Sequence, residues 1–279
     1  MNRVNIVPMA TRCRDTVFEW GRRTYVMGIV NVTPDSFSGD GLNNLDSAIA
    51  QAKRFVDEGA DIIDVGGEST RPDSQPVSAE EEISRVIPVI EALSHELSVP
   101  ISIDTCKSAV ARCAVKAGAN IINDVWGLQK SPELVIIAAE AKIPIIITSN
   151  QRANPCKDIM AGIISDLREK IGMLEEGGVI SENIIIDPGI GFGKTPEQNL
   201  EIIRRLAELK TIGKPILLGT SRKSFIGEVL GLPAQDRMEG TAATVAIGIA
   251  SGADIIRVHD VKQMVRVCRM SDAIIRRKE

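Results

Sequence analysis

The sequence predicts a (β/α)8 barrel, and three observations carry that reading. Short β-rich runs alternate with helical segments from Tyr25 onward, and there are eight: residues 25–31, 61–65, 101–104, 120–123, 144–148, 183–187, 216–219 and 254–258. The runs are nearly unbroken Ile and Val, the pattern of strands covered on both faces. They also begin in two ways that alternate along the chain. Gly59-Ala60-Asp61-Ile62-Ile63-Asp64, Gly118-Ala119-Asn120-Ile121-Ile122-Asn123 and Gly252-Ala253-Asp254-Ile255-Ile256-Arg257 open the second, fourth and eighth runs. Val99-Pro100-Ile101, Ile143-Pro144-Ile145 and Lys214-Pro215-Ile216 open the third, fifth and seventh. A barrel fills its interior in layers drawn from alternate strands, which accounts for an odd/even split. An open doubly wound sheet needs neither this count nor this alternation.

Taken in order, residues 1–24 hold two short apolar stretches, 4–9 and 16–19, separated by charge. They predict a hairpin covering one end of the body, so that 1–279 is one domain with 1–24 as its N-terminal cap and 25–279 as the barrel. The first run ends in Asn31 and a Thr33-Pro34-Asp35 turn, followed by a Ser/Gly/Asp-rich loop that carries Phe37. Between runs, apolar residues recur at helical spacing, as in Ala48, Ala52, Phe55 and Val56 or Ile83, Val86, Ile87 and Ile90. The glycine of each Gly-Ala entry suits the left-handed turn that ends the preceding helix. The last helix, with Val265, Val267, Met270, Ile274 and Ile275 apolar, serves packing on the barrel or a dimer contact.

Composition narrows the class. With 279 residues, 44% hydrophobic and 25% charged, the chain suits one large globular domain or two small ones. It has no apolar run long enough for a membrane span and no charged-then-apolar leader. A net charge of −4 argues against general nucleic-acid binding. Five cysteines (Cys13, Cys106, Cys113, Cys156 and Cys268) are odd in number and lack metal-type pairing, which fits small buried residues in a reducing cytoplasm.

Function in a barrel sits at the C-terminal strand ends. Those positions hold Asn31, Asp64, Asp104, Asn123, Asp187, Arg257 and His259, with Ser221-Arg222-Lys223-Ser224 just past the seventh run. Asp104, Asn123 and Asp187 suit a flat heterocycle with exocyclic amino and ring N–H groups, since carboxylates accept paired N–H bonds and Asn both gives and takes. The same residues are also good helix caps. Arg257 and His259, two apart, share a strand face. With Lys223 and Asn31 they can surround a phosphate or pyrophosphate, Asn31 offering its carboxamide oxygen to Mg²⁺. His95, in the polar stretch Ser94-His95-Glu96, reads as surface. Gly189-Ile190-Gly191-Phe192-Gly193-Lys194-Thr195 lacks P-loop spacing and reads as a loop shaping the pocket rim.

Residues 31–38, Gly66-Gly67-Glu68-Ser69-Thr70-Arg71-Pro72, Ile103-Asp104-Thr105, Ile122-Asn123-Asp124, residues 187–194 and 221–227, and Arg257-Val258-His259-Asp260 together resemble dihydropteroate synthase. They stand in that family's order and spacing, from Tyr25 to the C-terminus. The resemblance implies condensation of 6-hydroxymethyl-7,8-dihydropterin pyrophosphate with p-aminobenzoate in folate synthesis, with Mg²⁺, by SN1-like loss of pyrophosphate. It further implies a pterin site of Asp104, Asn123, Asp187, Gly219 and Lys223, and a pyrophosphate site of Asn31, Thr70, Arg71, Arg257 and His259. A p-aminobenzoate site of Phe37, Pro72, Lys223 and Ser224 completes the set, with Lys223, Arg257, His259 and Asp104 carrying catalysis and a homodimer as the usual assembly.

The sequence departs from the family pattern in three places. Ser149-Asn150-Gln151 replaces Met-His-Met after the fifth run, and Ser38-Gly39-Asp40-Gly41 replaces Ser-Asp-Gly-Gly in the first loop. Trp126 is bulkier than expected, and is read as narrowing the pocket or filling the space left by the methionines. Two rivals share the pterin cradle: a methyltetrahydrofolate–corrinoid methyltransferase, which needs neither Ser221-Arg222-Lys223-Ser224 nor Arg257-Val258-His259, and a diverged, non-catalytic pterin-binding barrel.

Overall fold

Strands rich in Ile and Val at both parities bury both faces, so they assemble as a parallel ring inside a ring of helices. The structure is a computed structural model that describes residues 10–32, 43–69, 75–152 and 158–276. A hairpin of β1 (Ala10–Cys13) and β2 (Thr16–Glu19) precedes eight parallel strands. These are β3 (Tyr25–Asn31), β4 (Ile62–Gly66), β5 (Ile101–Asp104), β6 (Ile121–Asp124), β7 (Ile145–Thr148), β8 (Ile184–Asp187), β9 (Leu217–Leu218) and β10 (Ile255–Val258). Their spatial order is β8-β7-β6-β5-β4-β3-β10-β9, and a parallel bridge from Ile186 to Ile216 brings β8 back to β9. The outer helices are α1 (Asn43–Asp57), α2 (Ala79–Glu96), α3 (Ser108–Ala117), α4 (Leu134–Ala141), α5 (Ile159–Glu176), α6 (Pro196–Arg204), α7 (Ser224–Leu230), α8 (Met238–Ala250) and α9 (Val261–Ile275).

The two strand entries divide the hydrogen bonding between them. Gly59, Gly118 and Gly252 take φ of 102°, 113° and 105°, in the left-handed region that glycine adopts cheaply. The polar residue two places on then reaches sideways to the preceding strand around the ring. Asp61 accepts the N–H of Val26 at 2.9 Å, Asn120 that of Ile101 at 3.2 Å and Asp254 that of Ile216 at 3.1 Å. Proline has no N–H to place there, but its carbonyl likewise serves the preceding strand. Pro100, Pro144 and Pro215 accept from Ile63, Ile122 and Ile186 at 3.1, 3.0 and 3.0 Å.

Side chains alternate across each strand. Ile63, Ile103, Ile122, Ile147 and Ile186 point outward beneath the helices. Ile62, Ile121, Ile185 and Ile255 point inward from alternate strands, with Met27, Ile146 and Leu217 from the intervening ones. Phe18, Trp20 and Tyr25 join that inner cluster and stop the N-terminal mouth. Phe18 stacks on Trp20 at 5.3 Å, and Tyr25 stands edge-on to both at 4.9 and 5.4 Å.

The hairpin thus caps the barrel as expected, but its first strand is Ala10–Cys13, pairing Ala10 with Glu19 and Cys13 with Thr16. Residues 4–9 lie outside the described residues. The strand was hidden because it is half-buried and polar: Thr11 and Cys13 turn inward while Ala10 and Arg12 face solvent. Among the described residues, no helix is long and apolar enough to cross a membrane. Cys13, Cys106, Cys113 and Cys268 are unbridged, and Cys156 lies outside the described residues.

Candidate active site

Two residues beyond the inward Ile62, Ile121, Ile185 and Ile255 stand Asp64, Asn123, Asp187 and Arg257, so the same alternate strands supply a polar layer at the C-terminal mouth. Arg257 Nε donates to Asp64 Oδ2 at 2.5 Å, and its Nη2 donates to Asp104 Oδ2. Asn123 Nδ2 donates to the same Asp64 oxygen at 3.2 Å. Asp64 is wholly buried and its Oδ1 finds no partner among the described residues.

Burial dominates the electrostatics. It pushes the Asp104 carboxyl up to about 7; Arg257 opposes that, while Asp64, Glu82 and Asp124 add to it. Burial also raises Asp187 against the pull of Lys223. For Arg257 burial works against the charge, but Asp64 and Asp104 outweigh it and hold the guanidinium firmly protonated.

Lys223 precedes α7 and Ser224 is the first residue of that helix. Lys223 Nζ donates to the Ile190 carbonyl and lies 4.5 Å from the centre of the Phe192 ring. Burial brings its ammonium down to about 8, with Asp187 opposing. Arg222 has φ 57°, and its side chain makes two bonds to Asp260, Nε to Oδ2 at 2.9 Å and Nη2 to Oδ1 at 2.5 Å. His259 follows β10, its Nδ1 3.0 Å from Ser221 Oγ, and its backbone N–H donates to the same oxygen at 3.2 Å. Gly219, just past β9, leaves room beside Arg257: an added Cβ would stand 3.9 Å from the Arg257 Cβ.

Asn31 ends β3, half-buried, beside Gly66. Among the described residues no three His, Cys, Asp or Glu side chains converge to hold a metal. A Mg²⁺ ion that keeps water and phosphate oxygens needs only one or two protein ligands, and a carboxamide at the barrel mouth fits that pattern.

The structure thus gathers Asp104, Asn123, Asp187, Lys223 and Arg257, and sets Asn31, Gly219, Ser224 and His259 at the same end of the strands. Phe37, Thr70, Arg71 and Pro72 lie outside the described residues, as does the altered first loop. Sequence reasoning noted Asp64 as a strand end without giving it a role, although it is the sixth residue of the motif whose other copies end in Asn123 and Arg257. That shared position was the signal.

Phe192 and Lys194 were read only as part of a loop shaping the rim, and Ser221 only as part of the cluster after the seventh run, with no role of their own. Gly189, Gly191 and Gly193 all have positive φ, and Lys194 Nζ ties their turn together by donating to the carbonyls of Ser149, Gly189 and Phe192 at 2.7, 2.9 and 3.2 Å. The amides of Gly189, Gly191 and Phe192 bond to Asp187, Asn199 and Gly189. These three amides are committed internally, in keeping with a turn that shapes the rim.

At the altered segment, Ser149 N–H donates to the Asp187 carbonyl at 2.9 Å, Asn150 Nδ2 to the Val125 carbonyl at 2.9 Å and Gln151 Nε2 to Ser149 Oγ at 3.1 Å. A buried polar network replaces the thioethers. Trp126 lies against Lys130 and Arg152, its ring centre 3.8 Å from the lysine Nζ.

Residues 27–259 match the family described as pterin binding enzyme. The chain is 52% identical over 262 residues to a dihydropteroate synthase of Clostridium beijerinckii, covering 93% of this chain and 97% of the relative. It is 51% identical over 263 residues to that of Bacillus subtilis, covering 94% and 92%. The crystal structure of the Clostridium difficile dihydropteroate synthase in the presence of pteroic acid superposes with a TM-score of 0.90 at 54% identity, covering 93% of this chain and 100% of that one. The Xanthomonas albilineans enzyme with 4-aminobenzoic acid gives 0.91 at 38% identity, covering 98% and 100%. The chain belongs to the dihydropteroate synthase family of pterin-binding enzymes.

Proposed function

We propose that this transferase condenses 6-hydroxymethyl-7,8-dihydropterin pyrophosphate with p-aminobenzoate, giving 7,8-dihydropteroate and pyrophosphate. The observation that supports it most is the mouth itself: carboxylates and an amide from four strands, a firmly charged arginine and a half-buried lysine around one opening. Asp104, Asn123, Asp187 and Lys223 bind the pterin, the carboxylates accepting its ring N–H and amino protons; Gly219 gives it room. Arg257, His259 and Asn31 face the pyrophosphate, joined by Thr70 and Arg71. Phe37, Pro72, Lys223 and Ser224 receive p-aminobenzoate.

Cleavage of the methylene C–O bond leaves the electron pair on pyrophosphate and a delocalised cation on the pterin. Arg257 and Lys223 stabilise the charge that builds on the leaving group. Mg²⁺ held by Asn31 would supply further neutralisation of the pyrophosphate oxygens. The arylamine is neutral at pH 7, so its nitrogen attacks without a strong base and releases its proton afterwards. The enzyme is further proposed to act as a cytoplasmic homodimer. The exposed Met270, Ile274 and Ile275 at the end of α9 are consistent with a subunit contact.

The test is to mix the protein with dihydropterin pyrophosphate, Mg²⁺ and p-aminobenzoate and follow pyrophosphate and dihydropteroate together. Both should appear in equal amounts, and Lys223→Ala or Asp104→Ala should abolish both. Pterin binding without turnover would instead identify a non-catalytic barrel.

A further inference from the structure

Four successive loops at the barrel mouth are joined by an alternating file of cations and rings. Lys130 Nζ lies 3.8 Å from the centre of Trp126, in the segment after β6. On Trp126 also lies the Arg152 guanidinium, from the segment after β7, with its carbon 5.4 Å from that ring and 5.1 Å from Phe192. Phe192 follows β8, and 4.5 Å from its centre is the ammonium of Lys223, which follows β9. Each contact is within the roughly 6 Å at which a ring quadrupole attracts a cation. Backbone groups brace the file: Asn150 Nδ2 bonds the Val125 carbonyl and the Gln151 N–H bonds the Phe192 carbonyl at 3.2 Å.

We propose that Trp126 and Arg152 are positioning residues that set Phe192 and Lys223 for the pterin, through this file of stacked groups. This rests on the assignment of Lys223 to the pterin given above. Neither residue need touch substrate. Arg152 lies against the Phe192 ring, and Trp126 lies against Arg152. Ser149, Asn150 and Gln151 form a hydrogen-bonded network beside the file, and the planar guanidinium of Arg152 lies near both rings.

Arg152 has a second effect, because its positive charge faces Lys223. The groups around that ammonium are Asp187 from β8, Asp104 from β5, Arg257 from β10, Arg152 from the segment after β7 and Lys194 from the turn after β8. The two carboxylates favour its charge, and the two arginines and Lys194 disfavour it.

Trp20 and Trp126 are the two tryptophans of the chain, so W20F leaves Trp126 as its own fluorescent reporter. In that background, calorimetric titration with dihydropterin pyrophosphate and the pH profile of kcat/KM test the file. W126L and R152M each remove two contacts of the file and should weaken pterin binding about three- to tenfold, on the scale of cation–π energies. R152M should also move the alkaline limb set by Lys223 to higher pH and change the Trp126 emission. R152K should leave the limb in place while still weakening binding, and W126F should restore binding. If W126L fails to fold, the two Arg152 variants decide. Binding and pH profiles like those of W20F in both R152M and W126L would overturn the file, provided K223A in the same background abolishes binding. A K223A variant that binds normally overturns the pterin assignment of Lys223 and the positioning claim with it.

Discussion

Arg257 Nε meets Asp64 Oδ2 at 2.5 Å, and the two residues end separate copies of one six-residue motif. Asn123, which ends the third copy, donates to the same oxygen at 3.2 Å. A repeat that begins as strand-entry grammar therefore finishes as a site, because equal spacing from the entry puts all three side chains in one layer of the barrel. Removing the charge at Asp64 leaves Arg257 with Asp104 as its one bonded carboxylate. Asp64→Asn should cost about 3–5 kcal/mol of stability, the usual penalty for breaking a buried ion pair from one side. Denaturant unfolding measures it; a loss below about 1 kcal/mol, the scale of an exposed pair, would show that Asp104 alone satisfies the arginine.

Asp104 makes the fold sensitive to pH. Its carboxyl is pushed by burial from 3.8 to about 7. Between those values the folded chain keeps a proton that the unfolded chain has released, so this residue's contribution falls as pH rises through the window. Asp104→Asn removes that dependence. Wild-type stability should drop relative to Asp104→Asn between pH 4 and pH 7, as followed by unfolding midpoints at closely spaced pH. Pterin affinity should run the other way, rising toward pH 7 as the carboxylate forms and can accept the ring N–H.

The alternation of Gly-Ala and Pro entries made the barrel legible, since each entry leaves a distinct residue type where a strand must meet its neighbour. Strand ends were legible because a polar residue after an isoleucine run has few other reasons to be there. Phe192 and Arg152 were not, for a physical reason. Their roles arise from loops after different strands meeting in space, and neither residue differs locally from an ordinary loop side chain. Ser149-Asn150-Gln151 was read as a missing sulfur wall. That these polar residues bond to Asp187, Val125 and each other depends on the neighbouring strands and has no sequence spacing to show it.

The two ends of the barrel should respond differently to damage. Phe18 is buried beneath the inner isoleucines, far along the strands from the polar layer. Phe18→Ala should cost about 3–5 kcal/mol, typical for an aromatic removed from a core, yet leave kcat nearly unchanged at temperatures where the protein is folded. Conservation of rate with loss of thermal midpoint is the signature of the N-terminal face. A matched fall in kcat would mean that the hairpin reaches the mouth.

Gly189 and Gly213 offer a controlled comparison for the turn beneath Phe192. Both have nearly the same left-handed backbone, φ 72° and 74°. A Cβ at Gly213 would meet nothing within 4 Å, whereas one at Gly189 would lie 2.2 Å from the Ser149 carbonyl oxygen. Gly213→Ala therefore pays the conformational cost alone, roughly 1–2 kcal/mol. Gly189→Ala must also push apart the two segments that Lys194 clamps and disturb the 2.7 Å bond from its own N–H to Asp187 Oδ1. It should lose more stability than Gly213→Ala, and it should weaken pterin binding, which Gly213→Ala should leave intact. Parallel unfolding and binding measurements on the two variants separate strain in the backbone from displacement of the Phe192 wall; equal losses in both would show that the turn matters only for its φ.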